Sequence, residues 1–76
     1  MNPFEQRLFE ALSRQPVVVL DYHPALGLAG AGIGTWNLDF VKRQLATLEA
    51  QGRITVRRRH RWHWLWLEPY VEVRHA

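Results

Sequence analysis

The chain has 76 residues, with ten Lys and Arg against seven Asp and Glu (net charge +3) and no cysteine. That length suits one domain, residues 1–76, and the lack of thiols excludes a disulfide framework or a thiolate zinc site. No run approaches the roughly 18 apolar residues of a membrane-spanning helix, and the opening Met-Asn-Pro-Phe-Glu lacks the regions of a signal peptide. A cytoplasmic protein without a membrane partner is therefore expected.

Asn2-Pro3-Phe4-Glu5 reads as a helix start, with Asn2 capping, Pro3 at the first helical position and Glu5 placed for a capping box. Phe4, Leu8, Ala11 and Leu12 fall on one stripe of that helix. It should end near Arg14, because Pro16 disfavours helical geometry at Gln15. Val17, Val18, Val19 and Leu20 form a β-branched run suited to a short buried strand. Over residues 21–36 the expectation is a weak second helix, capped by Asp21 and holding Pro24, Ala25, Leu26, Leu28 and Ala29. Glycines 27, 30, 32 and 34 each cost such a helix up to about 1 kcal/mol relative to alanine.

A main helix follows over residues 37–51, where Leu38, Val41, Leu45 and Leu48 recur at three and four residues on one face. Gly52 sits where a helix commonly ends through a left-handed residue. Two β-like runs come next, residues 53–59 and 62–67, with Arg57, Arg58, Arg59, His60 and Arg61 at and before the turn. Ile54 and Val56 point inward from the first run. Trp62, Trp64 and Trp66 are expected on one side of the second, and residues 70–73 form a further extended segment.

Charge is unevenly spread. Residues 53–61 hold five arginines and no acid, a field that attracts phosphate or an acidic protein surface. The bland alternative is a solvated hairpin tip kept soluble by its charge. The three tryptophans represent about 500–700 Å² of apolar surface, more than a monomer ordinarily leaves exposed. Residues 70–73 folding back, or a second copy of the chain, would cover them; stacking on single-stranded bases is another use.

Other constellations are weaker. Residues 27–34 lack both the Gly-Lys-Ser/Thr of a phosphate loop and the dinucleotide fingerprint. His60 and His63 would point to opposite faces of a strand, and zinc needs three or four converging ligands. Ser13 lies in the first helix and the carboxylates are scattered. No enzyme activity, metal or cofactor is expected.

The run from Val41 through Leu45, Leu48, Glu49 and Gly52 to Ile54 resembles the recognition helix and first wing strand of winged helix-turn-helix regulators of the MarR and ArsR type. In those families a leucine pair three apart, an acid, two variable residues, glycine, one residue and an isoleucine or leucine recur. The resemblance implies an α+β fold of three helices, the second weak and glycine-rich, with a β-hairpin wing.

It also implies a small sequence-specific protein for double-stranded DNA, a prokaryotic or viral transcriptional regulator, with a homodimer as one assembly. The N-terminal part of a recognition helix reads base edges, which selects Asn37, Phe40 and Arg43, with Thr47 on the same outer face. Arg57, Arg58, Arg59 and Arg61 would hold the backbone or the minor groove. The alternative is a winged-helix interaction module or inhibitor that meets an acidic protein partner through Trp62, Trp64 and Trp66 on strand 62–67.

Overall fold

A computed structural model describes residues 2–23, 27–29 and 34–76. Among these, two helices and five strands run in the order α1 (Pro3–Arg14), β1 (Val18–His23), β2 (Gly27–Ala29), β3 (Thr35–Trp36), α2 (Leu38–Ala50), β4 (Ile54–His63) and β5 (Trp66–His75). The strands form one antiparallel sheet in the order β3-β2-β1-β5-β4.

The helix starts follow from capping. The Asn2 side chain accepts a hydrogen bond from the Glu5 backbone N–H at 2.8 Å, and its Nδ2 donates to Gln44 of α2 at 2.8 Å. Glu5 does not close a capping box; it pairs with Arg53 at 3.5 Å. Asn37 caps α2 by accepting from the backbone N–H groups of Asp39 and Phe40.

Helix α2 ends as a Schellman motif. Gly52 N–H donates to Glu49 O and Arg53 N–H to Leu48 O, both at 3.0 Å, with Gly52 at φ +71°. The chain thus reverses straight into β4.

Three helices were expected, and this is corrected to two. The glycine-rich stretch contributes strands: Gly27–Ala29 pairs with residues 21–23 of β1, and Thr35–Trp36 pairs with residues 28–29. The physical reason lies in the glycines, which oppose a helix, and in β1, which runs on to His23 and offers an edge for pairing. The fold is therefore α+β without the three-helix winged arrangement. The rest of the expected second helix, at 24–26 and 30–33, falls outside the described residues.

Both helices lie on one face of the sheet. Phe4, Leu8, Ala11 and Leu12 of α1 and Val41, Leu45 and Leu48 of α2 are buried with Val18, Leu20, Ile54 and Val73. Register explains the strand contribution: Val73 of β5 is the direct partner of Val18 on one side and Val56 on the other. An aromatic cluster joins the helices at their first turns. The Phe4 ring meets Trp36 and Phe40 edge-on, at 5.7 and 6.0 Å between centroids, and Trp36 stacks on Phe40 at 5.8 Å.

Gly52 has open space around a virtual Cβ, so only its dihedral angle resists substitution. Gly52→Ala should lower stability by about 1–2 kcal/mol, the cost of a left-handed L-residue, and Gly52→Asn by less. Urea denaturation checks both.

Candidate nucleic-acid interface and apolar ribbon tip

Strands β4 and β5 pair over their full ten residues, from Ile54 opposite His75 to His63 opposite Trp66. A ten-residue strand spans about 33 Å, which accounts for most of the molecule's 38 Å long axis. Only the proximal part is covered by helices. Beyond Arg58 and Val71 the two strands project as a ribbon.

The turn is Trp64-Leu65, not the arginine cluster expected there. The arginines instead line a strand, and alternation sorts them by face. Arg57, Arg59 and Arg61 lie opposite Glu72, Tyr70 and Glu68 on the side away from the helices, while Arg58 lies opposite Val71 on the helix side.

On the open side acids interleave with the arginines. Arg59 pairs with Glu72, and Arg74 reaches the same carboxylate at 3.6 Å. Arg61 donates to Asp21 of β1 at 2.5 Å and approaches Glu68 at 3.6 Å, with its guanidinium 5.2 Å from the centre of the Tyr70 ring. Arg58 sits 3.9 Å from Glu49 of α2. Arg57 has no ion pair among the described residues.

The helix candidates divide differently. The Asn37 side-chain oxygen is committed to its cap, and the Phe40 ring packs against Phe4 and Trp36. Asn37 remains exposed and Phe40 is half-buried. Arg43 and Thr47 are exposed on the outer side of α2, and no ion pair links Arg43 to Asp39. Since α2 packs on one face of the sheet and Arg57, Arg59 and Arg61 occupy the other, the structure keeps these three apart from the helix candidates, and of the strand arginines only Arg58 shares the side of α2.

The tryptophans are also redistributed. Trp62 is the direct partner of Leu67 on the helix side, Trp66 lies on the opposite side, and Trp64 forms the turn with Leu65. Trp62, Trp64, Leu65, Trp66 and Leu67 are 72, 85, 92, 56 and 51% exposed. Residues 70–73 do not fold back over them; they pair with β1 at the sheet centre.

Trp64 has φ +58°, the one non-glycine residue with positive φ among those described. A two-residue turn with positive φ only at its first position is of type II′, where glycine is preferred.

Sequence reasoning missed a groove of about 370 Å³ between α2 and the ribbon. Leu38, Leu45, Val56 and Val71 form its floor, and exposed Lys42, Arg58 and His60 stand at its mouth. The signal for it was the alternation Ile54, Val56, Arg58, His60, an inward-facing row that outlasts the helix above it.

No protein-family model matches the chain, and neither does any curated protein or solved structure. No helix among the described residues is long and apolar enough to cross a membrane.

Trp64→Gly should relieve about 1–2 kcal/mol of left-handed strain while adding about 0.4–1 kcal/mol of unfolded-chain freedom. The net is a modest gain in stability, read by urea denaturation in dilute solution. A clear loss would show that the ring makes stabilising contacts within its own chain.

Proposed function

We propose that the protein binds double-stranded DNA, gripping it with the β4–β5 ribbon. One observation carries this reading: strands β4 and β5 bear five arginines (57, 58, 59, 61 and 74) against Glu68 and Glu72, with Arg59 and Arg61 on the part that projects from the body. A two-stranded ribbon fits a major groove about 12 Å wide, and guanidinium groups suit both phosphate and the guanine edge.

The ion pairs do not forbid this. The pairing arginines are roughly half exposed, and exposed pairs contribute only about 0–1 kcal/mol each. Phosphates can compete for such guanidinium groups, and each keeps donors to spare.

This reading moves the contact from α2 to β4. With three or four phosphate contacts, affinity for random duplex should fall roughly 10²-fold for a fourfold rise in salt. Arg57→Glu together with Arg59→Glu should weaken binding and flatten that dependence, whereas Arg43→Glu should change it little. Fluorescence anisotropy across a salt series measures all three. Lack of duplex binding at low salt would end the proposal. A role in controlling transcription requires a preferred site as well, which selection from random duplexes would reveal.

A second reading rests on the exposed tip. There the ribbon is an interaction module anchored on an acidic protein by Trp62, Trp64 and Trp66, since tryptophan and arginine dominate binding hot spots. Trp64→Gly would then abolish partner binding and leave duplex affinity intact.

A further inference from the structure

The apolar tip and the apolar groove belong to the same side of the same ribbon. Trp62 and Leu67 face the helix side at one end, and the groove occupies that side between the His60–Pro69 pair and the Val56–Val73 pair. Four to eight residues separate groove from turn, about 13–26 Å at strand spacing. The intervening ladder is hydrogen-bonded throughout, so a tip cannot fold back into its own groove. Any tip seated in that groove comes from another chain.

We propose that two copies of the chain associate reciprocally, the tip of each seated in the groove of the other. Their ribbons then run antiparallel with helix sides facing. Tip and groove lie on one patch, so a two-fold axis satisfies both contacts at once, as a closed symmetric dimer requires.

The chemistry matches as well as the symmetry. The floor residues Leu38, Leu45, Val56 and Val71 are apolar, and a tip of Trp62, Trp64, Leu65 and Leu67 presents apolar surface to them. Lys42 and Arg58 at the mouth lie where an incoming indole ring can meet a cation face-on. Arg57 and Arg61 are on the opposite side, and Arg59, which borders the groove, is held by Glu72, so the two cationic rows do not confront each other.

Size decides whether such a contact can persist. The two tip tryptophans on the helix side and at the turn offer about 300–500 Å² per copy. Two tips, with the smaller groove surface they cover, bring the total to roughly 900–1,300 Å², the low end of specific interfaces, where association is weak and reversible. A tip exposed in a lone chain would match or exceed the largest apolar patch monomers usually carry, about 300–600 Å².

The cysteine-free sequence makes the geometry directly testable. Leu65 at the tip and Lys42 at the groove mouth are both exposed, so Leu65→Cys and Lys42→Cys leave the core untouched. Mixing the two variants under mild oxidation should give a cross-linked pair in high yield, with little cross-linking of either variant alone. Sedimentation velocity of the unaltered protein, without DNA, should show a dimer that dissociates on dilution, and Trp64→Gly with Leu65→Ser should be monomeric at every concentration.

A protein monomeric throughout would overturn the proposal. So would faster cross-linking of Leu65→Cys alone, which would mean tip-to-tip contact. A monomer whose tryptophan emission shifts only on vesicles of an anionic phospholipid would assign the tip to lipid instead. None of these measurements uses DNA, so duplex binding and dimerisation fail or stand separately.

Discussion

The structure depends on the register with which β5 lies between β1 and β4. Val73 is fully buried and faces Val18 and Val56 across its two ladders. Side chains alternate along a strand, so a slip of β5 by one residue would turn Val71 and Val73 outward and carry Glu72 into the core. Burying a charge without a full set of partners costs several kcal/mol, more than any exposed pair on the sheet could return. One pairing therefore sets both the core and the row of arginines on the far side.

That row is organised by the acids it alternates with. Asp21, Glu68 and Glu72 hold Arg61, Arg59 and Arg74 along the sheet, and the Tyr70 ring supports Arg61. Arginine side chains lose much freedom when they are fixed by a ligand. Carboxylates that already restrain them reduce that loss, at the price of competing for the same donors. On an exposed face both effects are small, and the surviving positive excess decides the long-range field.

Much of the scaffold was legible from residue patterns. The cap at Asn2, the apolar stripes of both helices, the reversal at Gly52 and the inward pair Ile54 and Val56 follow local rules that tertiary contacts reinforce. Two features were not legible. Residues 27–29 carry no strand pattern of their own and become a strand because β1 offers them an edge. Trp64-Leu65 has none of the Asn-Gly or Gly chemistry that marks a tight hairpin turn, so the turn was read at the arginines instead. The candidate site inherited that misreading: the arginines became a tip, when they are one face of a ribbon. Asn37 and Phe40 illustrate a different limit, since polar and aromatic residues at a helix start serve capping and packing as readily as recognition.

The place of β5 between β1 and β4 also has a consequence for how the chain reaches this state. Its partners β1 and β4 both precede it, so during synthesis the β4–β5 hairpin can start from its turn, whereas the β1–β5 ladder cannot form until residues 70–73 have left the ribosome. Until then β1 can pair only with β2, and Val18 and Leu20 lack their β5 neighbours Val73 and Val71. The pairing of β1 with β5 joins residues about fifty apart, and closing so long a loop is slow relative to local structure. The strand that joins β1 to β4 is therefore the last part of the sheet to become available, and that interval is when a chaperone or a premature contact with another chain would act.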